Sequence, residues 1–425
     1  MTLTRDGYLP RSIDEVIDLM LEAFGAICIE GPKYCGKTWT SLNHAESSIM
    51  IGDPSQNFEN RRLVDIDVNR ALVGTPPHLI DDWQEIPSIW DAVRMEVDKH
   101  TKDGLFILTG SSTPVQKGVM HSGAGRIGRL RMRTMSLYES GDSDGSVSLM
   151  DLFDGTLQPT QSHTTDLEHL IELTVRGGWP KNIGKRTEVA IRTNKGYLDT
   201  CIEDVAGLDG SSRNTEKIRM TIRSLARNES TLASKSKIGS DVEGGRISDN
   251  TVDHYIDNLE RLFLICNQPP FDPGYRSSVR VGKVPKRHLA DPSLAVVAMD
   301  LTPKKLMGDL RTFGFLFEAM CERDLDVYAN SENGKLYHYR DSNDKEIDAV
   351  IELDDGRWGA FEIKLGTNQI DSAARNLLDI DSYIEERGGR RPSILCVVCG
   401  MTTASYRRDD GVYVVSPLQL RGKKL

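Results

Sequence analysis

The stretch Gly31-Pro32-Lys33-Tyr34-Cys35-Gly36-Lys37-Thr38 reads G-x-x-x-x-G-K-[ST] without a gap, the pattern of a phosphate-binding loop. Glycines at both ends let such a loop curl until its backbone N–H groups converge on phosphate oxygens, and the helix that follows turns its positive end toward them. Lys37 is then expected to reach the β- and γ-phosphates of ATP and Thr38 to bind Mg²⁺, with Pro32, Lys33, Tyr34 and Cys35 shaping the cradle between them. The flanks agree with this. Ala26-Ile27-Cys28-Ile29-Glu30 reads as a short buried strand, and residues 37–44 can start a helix. A glycine turn with an incidental lysine is the competing reading, and the strand-loop-helix setting argues against it.

Phosphate loops work with a second acidic element that orients the magnesium ion and its waters. Leu79-Ile80-Asp81-Asp82 supplies one, with the apolar residues placing Asp81 at the C-terminal edge of a buried strand beside the loop. Asp82 stands where hydrolysing proteins usually carry Glu and is one methylene shorter, so slow turnover is an open expectation. In Leu105-Phe106-Ile107-Leu108-Thr109-Gly110-Ser111-Ser112 a further buried strand ends in small polar groups. Thr109 or Ser111 could sense a γ-phosphate there, or simply cap the next element. Arg126, in Gly125-Arg126-Ile127-Gly128-Arg129, could stabilise phosphoryl transfer in cis or from a neighbouring subunit, or be an ordinary surface arginine.

A chain of 425 residues exceeds one hydrophobic core. Three domains are expected: a parallel α/β nucleotide domain over 1–165, a helical domain over 166–290 and an α/β domain over 291–425. A linker-like stretch rich in Gly, Ser and Asp runs from Ser140 to Gly145 in the first of them. With 53 Lys+Arg against 63 Asp+Glu the formal charge is −10, which argues against broad electrostatic capture of nucleic acid but leaves room for a local basic face. The seven cysteines are scattered and no charged-apolar-small signal segment opens the chain, so reduced thiols in a cytoplasm are expected. Cys396-Val397-Val398-Cys399 has half-zinc-site spacing but lies in an apolar run, which favours buried strand thiols. No apolar stretch approaches the ~18 residues of a membrane span.

In the middle region helical periodicity breaks at Arg176-Gly177-Gly178-Trp179-Pro180, and residues 215–271 read as three short helices followed by an extended segment. That order suits a winged-helix unit. The helix expected after Ser248 carries Asp249, Asp253, Asp257 and Glu260, a poor reader of a major groove. Lys217, Arg219, Arg223 and Arg227 are better phosphate contacts, with a solvated basic face as the alternative.

Near the end, Asp348, Glu362 and Lys364 form D-x13-E-x-K, the spacing of a metal-dependent nuclease centre in which two carboxylates bind Mg²⁺ and a lysine positions water. Strand alternation puts Glu362 and Lys364 on one face and Phe361, Ile363 and Leu365 on the other. Whether Asp348 joins them depends on the turn. A two-residue loop at Asp355-Gly356 would point Asp348 to the wrong face, whereas a three-residue loop, Asp354-Asp355-Gly356, pairs it with Glu362. The three-residue loop is expected.

Taken together, the chain resembles the prokaryotic AAA-type ATPases that carry a C-terminal domain of unknown function with a restriction-endonuclease-like core. The resemblance rests on Tyr8-Leu9-Pro10-Arg11, Glu30-Gly31-Pro32 with Gly36-Lys37-Thr38, Ile80-Asp81-Asp82 with Gln84 and Pro87, Leu108 to Ser112, Gly125-Arg126 and Gly177-Gly178-Trp179-Pro180. Asp82 for Glu and Lys33 for a common Arg depart from it. It implies an ATP-binding AAA module, a winged-helix middle and a PD-(D/E)xK nuclease-like end, with Glu318 as the fourth member of that last centre. The expected activity is an ATPase whose nucleotide state controls a Mg²⁺-dependent nuclease-like domain acting on DNA or RNA. The alternatives are an ATP-dependent switch or scaffold whose nuclease-like domain binds without cutting, and a DNA-binding regulator. Assembly as a homo-oligomer is compatible with each.

Overall fold

The computed structural model describes residues 4, 6–112, 121–161, 166–208, 215–242, 247–282, 284–341 and 345–425. They form two compact units, residues 1–134 with 260–264, and residues 135–259 with 265–425.

The first unit runs α1 (Asp14–Ala23), β1 (Ala26–Glu30), α2 (Lys37–Asn43), β2 (Ser47–Met50), α3 (Ser55–Ile66), β3 (His78–Asp81), α4 (Ser88–Val97), β4 (Phe106–Gly110) and β5 (Ile127–Arg131). All strands pair in parallel, in the order β2-β3-β4-β1-β5. Both faces of this sheet are covered at its centre, which is why β1, β3 and β4 are buried, mainly apolar runs, while the edge strands β2 and β5 carry polar residues. Ile27 and Ile29 of β1 pack with Ile17 of α1, Leu42 of α2 and Cys35. Ala26 and Cys28 turn the other way, into a cluster with Ile80, Leu108, Trp83 and the α4 residues Ile89, Trp90 and Val93. Each fully buried isoleucine contributes about 1.5–3 kcal/mol relative to exposure. β1 is therefore fixed from both sides, and the loop leaving its C-terminal end starts from a rigid point.

The second unit begins with β6 (Val147–Ser148), α5 (Leu149–Phe153) and β7 (Thr160–Gln161). Helices follow: α6 (Leu167–Arg176), α7 (Thr187–Leu208), α8 (Thr215–Arg227), α9 (Lys235–Ser240) and α10 (Asp249–Arg261). An antiparallel pair, β8 (Ile265–Gln268) and β9 (Lys286–Leu289), flanks α11 (Val279–Gly282). After α12 (Pro292–Ala298), α13 (Pro303–Gly308) and α14 (Leu310–Ser331) come β10 (Gly334–Arg340), β11 (Glu346–Leu353), β12 (Trp358–Lys364), α15 (Ile370–Glu386), β13 (Ile394–Cys399), β14 (Ala404–Arg407), β15 (Tyr413–Val415) and β16 (Leu420–Arg421). The main sheet here has the order β10-β11-β12-β13-β15-β14-β7, and β16 pairs with β6. Residues 147–161 thus share sheets with the end of the chain.

The stretch 140–145, read as a linker, is folded in. Ser143 is buried and donates to the Leu420 carbonyl at 2.8 Å, while Arg176 holds Asp142 at 2.6 Å. Short polar side chains here satisfy buried backbone groups, which composition alone does not distinguish from solvation. The Gly177-Gly178 break has an equally local cause. Gly177 has φ +71°, and a Cβ on it would lie 2.3 Å from Asp291 Oδ1, while one on Gly178 would lie 2.0 Å from the Met135 carbonyl oxygen. Only glycine permits that approach. The seven cysteines are buried, Cys396 and Cys399 within β13 as expected. No helix among the described residues is long and apolar enough to cross a membrane.

Candidate functional site

The loop between β1 and α2 has the geometry its sequence requires. Gly36 caps α2 with φ +109°, and a Cβ on Gly31 would meet the Met132 carbonyl oxygen at 2.3 Å, so neither position accepts a side chain. Lys37 is buried, its ammonium donating to the carbonyls of Gly31 at 2.9 Å and Pro32 at 2.8 Å. Tyr34 sits at φ +65° with its ring exposed, whereas the Cys35 thiol is enclosed beneath the loop.

Three elements converge beside it. Thr38 Oγ1 at the start of α2 donates to Asp81 Oδ1 at 2.9 Å, and Thr109 Oγ1 at the end of β4 donates to the same oxygen at 2.5 Å. Burial pushes the Asp81 carboxyl up, and these hydroxyls together with Lys37 oppose the shift. Asp82, at φ +58°, donates its backbone N–H to Thr109 Oγ1 at 3.2 Å and accepts from Gln84 Nε2 at 3.0 Å. Gln84 also reaches Ser111 Oγ, at 3.3 Å. A hydroxyl and a carboxylate 2.9 Å apart beside the phosphate cradle are a suitable donor set for a hydrated Mg²⁺.

Arg126 is not part of this group in its own chain. It precedes β5, and its carbonyl accepts from Ala26 N–H at 3.1 Å, at the start of β1. The phosphate loop leaves the other end of that strand. Its guanidinium is paired with Asp98 at 2.9 Å. A different arginine, absent from the site reading, holds the loop: Arg11 is 4 % exposed and donates Nη1 to the Cys35 carbonyl and Nη2 to the Arg133 carbonyl, each at 2.9 Å. The only signal for it was its place in Tyr8-Leu9-Pro10-Arg11. Replacing Arg11 by alanine leaves both carbonyls without this donor and is expected to lower unfolding stability by roughly 2–4 kcal/mol. Denaturant titration of wild type and variant checks this.

In the second unit the hairpin has the three-residue loop. Leu353 N donates to the Arg357 carbonyl, Gly356 lies at φ +90°, and the register Ala349↔Phe361 brings Asp348 opposite Glu362. Lys364 Nζ then lies 3.1 Å from Asp348 Oδ2 and 2.5 Å from Glu362 Oε2. Asp348 Oδ2 also accepts from Ile363 N at 2.8 Å, and Glu362 Oε1 from Asn376 of α15 at 2.8 Å. Alternation holds as expected, but both faces of β12 are covered. Trp358 and Ala360, on the Glu362 face, pack with α15. Burial and the Asp348 charge accordingly push the Glu362 carboxyl up to about 7, against the pull of Lys364.

Glu318 of α14 lines, with Lys364, a cleft of about 610 Å³ that is also lined by Leu310, Arg311 and Phe315. Its carboxylate is engaged by a residue the sequence reading missed. Lys286 of β9, 6 % exposed, places Nζ 3.0 Å from Glu318 Oε1, 2.8 Å from Glu322 Oε1 and 3.0 Å from the Asp348 carbonyl oxygen. Burial works against its charge, but Glu322, Glu318 and Asp348 hold Lys286 above the usual lysine range. Behind it Ser230 Oγ donates to Glu322 Oε2, and His288 bridges Glu229 and Gln268. The donor set therefore does not fit a divalent cation as it stands. The described oxygens face two ammonium groups, and among the described residues no group of three or more His, Cys, Asp or Glu side chains is arranged to hold a metal.

The basic face of α8 is also neutralised. Arg219 pairs with Asp199 at 2.8 Å, Arg227 with Asp241 at 2.6 Å and Arg223 with Asp300 at 3.7 Å. As phosphate contacts these arginines would first have to leave those partners, while Lys217 is exposed.

Comparison with known proteins agrees with the first site. Residues 23–140 match the family model described as AAA domain, so the N-terminal part is a P-loop ATPase-like domain of the AAA type, supporting ATP binding. Residues 167–305 and 313–420 match two models described as domains of unknown function, DUF8612 and DUF4143. Two relatives, Uncharacterized protein Rv2008c of Mycobacterium tuberculosis and Uncharacterized protein Mb2031c of Mycobacterium bovis, are each 24 % identical over 360 residues, covering 83 % of this chain and 73 % of theirs. A solved structure, the Walker-type ATPase PABY2304 of Pyrococcus abyssi, aligns over 70 % of this chain and 97 % of its own at 12 % identity and a TM-score of 0.45.

Proposed function

We propose that this protein is an ATP-hydrolysing switch of the AAA type whose nucleotide state governs a nuclease-like C-terminal domain that binds nucleic acid without cutting it. The observation that carries the ATPase half is the Thr38–Asp81–Thr109 chain beside the Lys37 ammonium. In this reading Lys37 exchanges the Gly31 and Pro32 carbonyls for β- and γ-phosphate oxygens, while the backbone from Lys33 to Thr38 cradles the phosphates. Thr38 and Asp81 hold Mg²⁺ directly or through its waters. When bound, the ion offsets charge on the phosphate oxygens. Asp82 orients the attacking water, and Thr109 reports the γ-phosphate to Asp81. Arg126, remote in its own chain, completes a neighbouring subunit's site in a homo-oligomer.

For the C-terminal centre, the juxtaposition of Asp348, Glu362 and Lys364, with Glu318 on the same cleft, supports a nuclease-like site. The binding-only reading is favoured over Mg²⁺-dependent cleavage because these carboxylates are held by Lys364 and Lys286. The three helices α8 to α10 with the β8–β9 pair suit a winged-helix relay within residues 166–290.

The test is an assay on single- and double-stranded DNA and RNA with Mg²⁺ or Mn²⁺, with and without ATP, on wild type and Lys364→Ala. Wild type is expected to leave every strand intact while ATP changes its nucleic-acid affinity. Cleavage that is present in wild type and lost in Lys364→Ala would return the centre to the cutting class.

A further inference from the structure

The centre contains one cation the motif does not call for, and its surroundings are those of a bound ion. An ammonium has three N–H donors. Lys286 spends all three on oxygens: Glu318 Oε1, Glu322 Oε1 and the Asp348 carbonyl, at 3.0, 2.8 and 3.0 Å. Hard divalent cations prefer oxygen sets of this kind, two carboxylates and a carbonyl, at about 2.0–2.6 Å, so the same oxygens need draw in by only a few tenths of an ångström or slightly more. Lys286 is also fixed from behind. It pairs with Gln268 across β8–β9, and Gln268 Nε2 donates to the Asp348 carbonyl at 3.2 Å. The side chain thus enters from a strand well separated in sequence from the D-x13-E-x-K motif and lies beneath it.

We infer that Lys286 is a built-in counter-ion that occupies, with its ammonium, the oxygen site between Glu318, Glu322 and Asp348 where a divalent cation would otherwise bind. The inference rests on the nuclease-like reading of this centre and gives its regulation a physical form. A charged amine buried between two carboxylates keeps the acidic cluster assembled and excludes a second cation by occupancy and by charge. Removing the amine while keeping an apolar stem converts the pocket into a metal site.

The experiment measures Mn²⁺ uptake by the full chain without nucleotide, using electron paramagnetic resonance of the free ion. The proteins are wild type, Glu318→Gln, Lys286→Met, the polar neutral replacement Lys286→Gln, which guards against misfolding while keeping both acids, and the double variant Lys286→Met/Glu318→Gln. Wild type and Glu318→Gln are expected to bind Mn²⁺ equally weakly. A folded Lys286 variant is expected to gain a site at least roughly tenfold tighter, lost again when Glu318→Gln is added. Wild-type uptake that Glu318→Gln abolishes would overturn the inference, as would a folded Lys286 variant that binds no tighter than wild type. Strand cleavage is not the readout, so a failed nuclease-like reading and a failed counter-ion assignment give different results.

Discussion

Nucleotide binding is expected to disappear when Lys37 is replaced by alanine. Its ammonium is buried at the mouth of the loop, 2.9 and 2.8 Å from the Gly31 and Pro32 carbonyls, on the first turn of α2. In the proposed complex it makes charge-assisted contacts to two phosphates, each worth about 1.5–3 kcal/mol. Losing both removes roughly 3–6 kcal/mol, which corresponds to a dissociation constant weaker by about 10²–10⁴. Titration calorimetry with ATP and Mg²⁺ reads this directly, and ATP turnover should fall with it. The sheet should survive, because β1 is held by Ile27 and Ile29 on one face and Ala26 and Cys28 on the other, with no contribution from Lys37. Unchanged affinity in a folded Lys37→Ala protein would remove the phosphate-loop assignment.

Where local pattern and backbone geometry were enough, sequence reasoning reached the structure. The loop, the strands β1, β3 and β4, and the helix after the loop follow from apolar runs and glycine spacing. The Asp348–Glu362 pairing follows from one turn, whose Gly356 takes the left-handed conformation the three-residue loop needs. What was hidden depends on contacts between distant segments. Lys286 lies 62 residues before Asp348, in a segment with no motif, and only the fold turns it into part of the centre. Arg11 grips Cys35 and Arg133 across gaps of 24 and 122 residues. Which of its open readings suits Arg126 was hidden for a related reason. Its neighbouring glycines resemble a catalytic stretch, but which end of a parallel strand it occupies is a matter of register.

A second large effect is expected at the core of the second unit, where Arg323→Met should cost about 3–5 kcal/mol of unfolding free energy. Arg323 is 2 % exposed and donates to Asp291 Oδ2 at 3.0 Å and to Asp324 Oδ1 at 2.6 and 2.8 Å. Asp291 in turn accepts from Gly178 N and Ser293 N, each at 3.0 Å, and Asp324 from Leu137 N at 3.1 Å. Truncating the arginine strands two buried carboxylates, a loss comparable to much of the ~5–15 kcal/mol that holds a domain together. Arg391, half exposed, pairs with Asp381 at 2.6 Å in solvent, and its replacement by Met should cost far less. Chemical denaturation of the two variants separates these cases. Equal, small losses would show the buried triad to be energetically idle. The two acids respond to pH in opposite senses, because burial pushes the Asp324 carboxyl up to about 6 against the pull of Arg323. Although burial raises the Asp291 carboxyl, Arg323 and the hydrogen bonds hold it below the ordinary carboxylate range. Its stabilisation is therefore complete above the unfolded value of about 3.9 and is lost as acidification reaches the depressed folded value.

The short turn from Asp354 to Gly356 carries a wider consequence. Strand side chains alternate with a period of two, so lengthening or shortening that turn by a single residue would turn Asp348 away from Glu362, along with every other side chain of the realigned strand. A lineage could gain or silence such a centre by a one-codon insertion or deletion, with the acids themselves untouched.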